Sequence, residues 1–336
     1  MNVLSLFDGM SCGQIALNRL GIKYDKYYAS EIDKYAIKVT QRNYPDTIQL
    51  GDVTKIKASE LDKIDLIIGG SPCQGFSFAG KGLNFNDERS KLFFEYVRLL
   101  NEVKKVNPDV KFLLENVKMK SEYRDIITKI LDTYPIQINS CLVSAQNRDR
   151  LYWTNIPNIS QPRDNNIYIK NIIDDAYLYT DQLEAFCNKP RVIKNIYPKN
   201  GQNGNIYSIY GKSKTLSAGV GIVGNGIGSS NAPKIHSPNT QGWRRLSAVE
   251  CERLQTIPDN YTQCVSDTQR YKMIGNGWTI DVIAHILSFF NTTNDDVFTL
   301  NQVEKAYLTG VQDQLFYGEE LDQKESLKIL FSNLRG

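Results

Sequence analysis

Histidine is nearly missing from this chain. His236 and His285 are the only two in 336 residues, and neither lies in a motif. That scarcity argues against a histidine-rich metal site and against a serine–histidine triad. The six cysteines, at 12, 73, 141, 187, 251 and 264, show no C-x-x-C spacing, and in a reducing compartment no disulfide is expected of them. No run approaches the ~18 apolar residues that cross a bilayer. The first six residues lack the basic segment and apolar core of a signal peptide. The expectation is therefore a cytoplasmic protein with no membrane partner. A strong excess of one charge is missing too: 40 Lys and Arg stand against 37 Asp and Glu, a net +3. So mild an excess permits nucleic-acid binding but does not establish it, because the footprint of such a partner is local charge. Internal repeats and low-complexity tracts are absent as well.

What is present is an ordinary globular composition, 41% apolar and 23% charged, in a length that allows one large domain and a smaller one. Through residue 155, strand-like and helix-like segments alternate. Strands are expected at 3–7, 27–30, 64–68, 111–114, 136–143 and 151–154, with a further short one before Asp52. Helices are expected near 13–20, 32–42, 90–106 and 122–132. This alternation predicts a doubly wound α/β fold with a mostly parallel sheet covered on both faces. Composition shifts after Asn155 to Asn, Tyr, Gly, Ser, Pro and Lys, with many turn signals. Residues 156–274 read as a smaller, irregular, β-leaning second domain, whose glycine-rich stretch 219–228 cannot be helical. Helical pattern returns beyond Gly275, placing 275–291 with the first domain, and 292–336 reads as a polar extension, helical in parts.

The most informative stretch is Ser71-Pro72-Cys73-Gln74, which follows an apolar run and two glycines and so falls where a buried strand ends. Ligands of open α/β sheets bind at the carboxyl ends of the strands, so a cysteine there faces a substrate. Pro72 stiffens the turn that presents it. About forty residues on, Glu115-Asn116-Val117 closes another apolar run. A thiol and a carboxylate on neighbouring strand ends are the parts for nucleophilic attack with proton assistance. Cysteines 12, 141, 187, 251 and 264 lack such a setting and read as small buried hydrophobes.

A ligand loop lies between the first strand and the first helix, in Phe7-Asp8-Gly9-Met10-Ser11-Cys12-Gly13. Its spacing is not G-x-G-x-x-G, so a nicotinamide cofactor is not expected. Gly9 and Gly13 let the backbone approach a ligand and leave N–H groups at a helix start for a carboxylate. Glu31 ends the second strand, where an acidic side chain accepts from ribose hydroxyls. Asp52 follows the third and can accept from an adenine amino group. Three such features in order at successive strand ends point to an adenosyl cofactor.

Taken together, Phe-Asp-Gly-x-x-x-Gly (7–13), Pro-Cys-Gln (72–74), Glu-Asn-Val (115–117), Gln-x-Arg-x-Arg (146–150), Arg-Arg-Leu-Ser-x-x-Glu-x-x-Arg-Leu-Gln (244–255) and Ile-Gly-Asn-Gly (274–277) resemble the DNA (cytosine-5) methyltransferases. The resemblance covers roughly residues 1–155 and 240–290. It implies the Rossmann-like fold of S-adenosylmethionine-dependent methyltransferases, with 156–274 as target-recognition domain, and S-adenosylmethionine as cofactor. It implies that Cys73 adds to C6 of a flipped-out cytosine. Glu115 then contacts N3 and the exocyclic amine, Arg150 contacts O2, and Arg148 and Gln146 hold the constellation. The cofactor contacts it implies are Phe7, Asp8, Gly9, Ser11, Cys12, Gly13, Glu31, Ile32, Asp52, Val53, Pro72, Leu92, Asn276, Gly277 and Trp278. Trp278 departs from the small residue expected after the Gly-Asn-Gly turn. DNA is expected to meet Gln74, Ser77, Lys81, Arg89, Thr215, Arg244 and Arg245. The expected partner is double-stranded DNA, with a restriction endonuclease alongside a monomeric bacterial or phage enzyme. A transfer-RNA cytosine methyltransferase and a catalytically silent DNA-binding regulator are the alternatives on the same fold.

Overall fold

The computed structural model describes residues 1–71, 88–176, 185–196, 204–218, 220–221, 229–230, 232–237 and 242–290. Residues 1–290 form one compact unit. Its frame is a seven-stranded sheet of β1 (Asn2–Leu6), β2 (Lys26–Ser30), β3 (Ile48–Gln49), β4 (Leu66–Gly69), β5 (Lys111–Val117), β6 (Ile136–Asn139) and β7 (Asp149–Thr154), in the order β3-β2-β1-β4-β5-β7-β6. The first five strands run parallel, whereas β7 is antiparallel to both β5 and β6. Helices α1 (Cys12–Arg19), α2 (Lys34–Asn43), α3 (Glu88–Val106) and α4 (Ser121–Leu131) connect them.

Strand alternation divides the core in two. On β1, Val3 faces one layer while Leu4 and Leu6 face the other, and Ile68 and Ile67 of β4 divide the same way. Both layers are apolar, so the central strands read as continuous hydrophobic runs, as parallel strands buried on both faces must. The chain winds outward from β1 through β2 to β3, then returns to place β4 on the other side of β1. The resulting switch point opens a crevice at the carboxyl ends.

Beyond β7, a four-stranded sheet joins β8 (Val192–Asn195), β9 (Asn205–Tyr207), β12 (Lys234–Ser237) and β13 (Gly242–Arg245), and a two-stranded ladder joins β10 (Val220–Gly221) to β11 (Ser229–Ser230). Three helices follow, α5 (Ala248–Leu254), α6 (Asp267–Asn276) and α7 (Ile280–Ser288). Tyr207 and Ile235 of the smaller sheet share one apolar cluster with Val3 and Leu113 of the large one.

Several boundaries differ from the sequence reading, each for a local reason. The strand expected to end at 114 continues through Val117, because β7 pairs with it as far as Val117 opposite Arg150. The strand expected over 136–143 stops at Asn139, whose side chain accepts the Cys141 N–H and turns the chain into a 3-10 helix at Ser140–Leu142. Helices α5 and α6 occupy part of the stretch read as irregular. The first is set by a capping box in which Ser247 and Glu250 satisfy each other's backbone N–H groups. The glycine stretch 219–228 is described only at its first strand pair, and the extension 292–336 lies outside the described residues.

Candidate functional site

The crevice at the switch point is a cavity of about 920 Å3, walled by the ends of β1, β2, β4 and β5 and by the returning 215–218 and 272–278 segments. The loop from β1 to α1 is held in an unusual backbone: Phe7 and Ser11 adopt φ of 58° and 65°, a left-handed conformation that non-glycine residues take only under constraint. The constraint is visible. Asp8 N donates to Ser30 O at 3.0 Å, Gly9 N to Glu31 Oε2 at 2.8 Å, and the Tyr261 hydroxyl to Met10 O at 2.7 Å. Asp8 is buried, accepts the Tyr27 hydroxyl at 3.0 Å on Oδ1, and has Oδ2 buried with no hydrogen-bond partner among the described residues. That burial pushes its carboxyl up to about 6. Burial likewise pushes the Cys12 thiol up to about 12, so this sulfur is no nucleophile.

Of the residues expected to touch the cofactor, Phe7, Asp8, Gly9, Cys12, Glu31, Ile32, Asp52, Val53, Leu92, Asn276, Gly277 and Trp278 line this one cavity. Two do not. Ser11 is fully buried, its hydroxyl accepting Gln14 Nε2, and Gly13 packs in α1 against Ile68 and Tyr27, so both shape the loop from behind. Glu31 holds three backbone N–H groups, those of Gly9, Ile32 and Asp33, and Asp52 caps a 3-10 turn through Thr54. Each carboxylate is thereby fixed at the cavity wall by its own backbone bonds. These donors and acceptors suit an adenosyl group bearing an amino acid: carboxylates for hydroxyls and amine, loop N–H groups for a carboxylate.

On the far side of the cavity stand Glu115, on β5, and Arg150, its diagonal neighbour on β7, where it pairs with Val117. Arg150 Nε lies 3.0 Å from Glu115 Oε1, an ionic contact rather than an aligned hydrogen bond, since Nε finds no partner in bonding geometry among the described residues. Side-chain exposures of 14% and 12% leave the pair mostly buried, on the cavity wall. Gly70, on the way from β4 into Ser71-Pro72-Cys73, explains how they fit: a Cβ there would lie 3.1 Å from Glu115 Oε2 and 3.0 Å from Trp278 Nε1. Asn116, missed as a site residue, lines the cavity with Nδ2 buried and without a hydrogen-bond partner among the described residues.

Arg148 has a different task from Arg150. It is buried and donates to Leu216 O at 3.1 Å, Gly277 O at 2.9 Å and Gly275 O at 3.4 Å. Burial, helped by the Arg150 charge, pushes it down to about 10. Gln146 does not reach the cavity; it bonds Leu254 O, Gln255 Oε1 and Leu216 N. Both side chains hold the 213–218 segment; Arg148 also holds the Gly-Asn-Gly turn, and Gln146 the end of α5. Gly275 permits that junction, for a Cβ would stand 2.6 Å from Ser217 C and 2.7 Å from Ala218 N. Thr215 lines the cavity and donates to Asn147 O. Sequence reasoning also missed Lys272 and Met273 on the wall, which only tertiary return brings there.

Among the residues expected on DNA, Arg244 pairs its guanidinium with Asp175 and, at 2.8 Å, with Glu250. Arg245 lies on the opposite face of β13. Pro72, Cys73, Gln74, Ser77 and Lys81, and the side chain of Arg89 at the start of α3, lie outside the described residues. Among the described residues no helix is long and apolar enough to cross a membrane, and no group of His, Cys, Asp and Glu could hold a metal ion.

Residues 1–290 match the sequence profile described as C-5 cytosine-specific DNA methylase. The chain is 32% identical over 311 residues to the type II methyltransferase M1.ScrFI of Lactococcus lactis subsp. cremoris, covering 84% of this chain and 75% of that protein. It is 29% identical over 317 residues to the type II methyltransferase M.HhaI of Haemophilus parahaemolyticus, covering 85% and 93%. Among solved structures, the S. pombe Dnmt2 methyltransferase superposes with a TM-score of 0.62 at 17% identity, over 87% of this chain and all of that one, which is a likeness of fold.

Proposed function

The chain belongs to the C-5 cytosine-specific DNA methylase family, and on that premise we propose how its residues carry a methyl group from S-adenosylmethionine to C5 of cytosine in DNA. The observation that carries the reading is the meeting in one cavity of two sets of groups. One is the Phe7–Gly9, Glu31 and Asp52 wall; the other is the Glu115–Arg150 pair beside the strand end that leads to Cys73.

S-adenosylmethionine supplies an electrophilic methyl group on a sulfonium. Cytosine C5 is a poor nucleophile until electron density is pushed into the ring. Cys73, as thiolate, adds to C6, and the electron pair of the 5,6 double bond becomes available at C5. Glu115 holds N3 in its protonated state and accepts the exocyclic amine, taking up the charge that develops. Arg150 turns its remaining N–H groups to O2. When C5 has taken the methyl, loss of the C5 proton restores the double bond and expels the Cys73 thiolate. The base is beyond reach within a duplex, so it is flipped into the cavity. Gln74, Ser77, Lys81 and Arg89 follow the nucleophile in sequence and are assigned to the DNA around it.

The same reading assigns 1–155 with 275–291 to catalysis and cofactor, 156–274 to target recognition of a short duplex sequence, and 292–336 to an extension. A monomeric, cytoplasmic enzyme acting alongside a restriction endonuclease belongs to the same proposal. Duplex DNA carrying 5-fluorocytosine at the target should trap a covalent complex with the protein, because fluorine cannot leave as a proton does. Methylation of ordinary duplex without any trapped adduct on the fluorinated one would sink the thiolate-addition scheme, and labelling of transfer RNA alone would sink the choice of DNA.

A further inference from the structure

Trp278 occupies a position where a small residue is expected, and it lines the cavity wall. The backbone on either side of it is fixed. Gly277 O accepts from Arg148 at 2.9 Å and from Gln255 Nε2 at 3.1 Å. The Thr279 hydroxyl donates to Gln255 Oε1 at 2.7 Å and accepts from Ser140 at 2.9 Å. With its backbone so held, the indole has a set position, and Gly70 marks where it ends. A Cβ on Gly70 would lie 3.0 Å from Trp278 Nε1 and 3.1 Å from Glu115 Oε2. The indole nitrogen and one carboxylate oxygen therefore converge on a single point, over a residue that has no side chain. Arg150 faces the other oxygen, Oε1. Among the described residues, Oε2 accepts no hydrogen bond and the indole N–H gives none.

We propose that Trp278 is a positioning residue for Glu115: its indole N–H donates to Oε2 when the base is in place. Arg150 at one oxygen and Trp278 at the other then fix the plane of the carboxylate. A carboxylate offers about four lone-pair sites, so Oε2 can take the indole N–H and still meet the base. Entry of the base displaces water, and a hydrogen bond to a charged acceptor is strongest where water is excluded. A donor fixed beforehand by the fold needs no reorganisation as charge develops. Trp278 acts through Glu115 and touches no reacting atom. The assignment rests on the methyl-transfer reading of the cavity and deepens it, giving the tryptophan a task beyond packing beside the cofactor.

Single-turnover methylation of duplex DNA by the full chain, with S-adenosylmethionine affinity measured separately by calorimetry, tests it. Trp278→Phe keeps a ring on the wall and removes only the donor. Its rate constant for methyl transfer is expected to fall by about 10–100-fold, the worth of a hydrogen bond to a charged group, while cofactor affinity stays parental. In a Glu115→Gln protein, whose acceptor is neutral, the same substitution should cost clearly less. That coupling is one a purely structural ring would not show. An unchanged rate in Trp278→Phe, or an equal loss in both backgrounds, overturns the assignment and leaves the methyl-transfer reading intact. Cofactor affinity falling in step with the rate also overturns it, because the indole then serves as cofactor wall alone. A parent protein that transfers no methyl group to duplex DNA overturns both.

Discussion

Asp8 sits where a charge is costly. Its carboxylate is buried, with one oxygen on the Tyr27 hydroxyl and the other without a hydrogen-bond partner among the described residues, and burial raises it from 3.8 to about 6. Between those two values the folded protein holds a proton that the unfolded chain has released. Stability should therefore fall as pH rises from about 4 to about 6, by on the order of 2–3 kcal/mol, and stay level above. Urea unfolding of Asp8→Asn across that window should show the slope removed; an unchanged slope would mean that another group titrates there. Glu115 makes the opposite case, a residue whose role was legible before its setting. Its place at the end of an apolar run marked it, but its pairing with Arg150 needed the antiparallel return of β7. Glu115→Gln should lower the rate of methyl transfer by about 10²–10⁴ with little change in cofactor affinity, which single-turnover kinetics and calorimetry would separate.

At the scale of elements, two short devices join the smaller sheet to the helices that follow. The Ser247–Glu250 capping box starts α5, and Arg244 ties Glu250, only 1% exposed, to β13 and to Asp175. Removing the arginine leaves a buried carboxylate unpaired. Arg244→Met should cost about 3 kcal/mol, whereas Arg245→Met should fall within about 0.5 kcal/mol of the parent. Chemical denaturation of the two variants checks this directly; equal losses would mean that the partition of the two arginines is wrong. The capping box is written in the sequence as Ser-x-x-Glu, and it was hidden by the turn-rich, strand-like composition around it. The reverse holds for the Arg-Arg pair. Its basic character was legible, but which arginine meets acids and which meets cations depends on strand register, and that is set by pairing with β12.

For the whole molecule, the cavity belongs to no single segment. The ends of β1, β2, β4 and β5, the 215–218 stretch and the Gly-Asn-Gly turn close around one space. A ligand bound there should tie residues near 7, 115 and 277 together and stabilise all of 1–290 at once. S-adenosylmethionine at 100 times its dissociation constant is expected to add about 2.7 kcal/mol to unfolding stability, seen as a single shifted thermal transition. Cys73→Ala should keep that shift and lose methyl transfer. A variant that loses both would place Cys73 in the cofactor site instead of at the base.

The α/β alternation, the order of the motifs and the chemical type of each site residue were determined by the sequence alone, because apolar periodicity and turn chemistry are local properties of the chain. The fate of each charged side chain was decided only by the tertiary structure. Gln146 and Arg148 look alike in sequence to parts of a reaction centre, yet both spend their bonds on backbone carbonyls and side chains that lie about seventy or more residues away. Strand pairing, register and the return of distant segments fix which partner a polar group finds, and a buried polar group takes the partner that satisfies it.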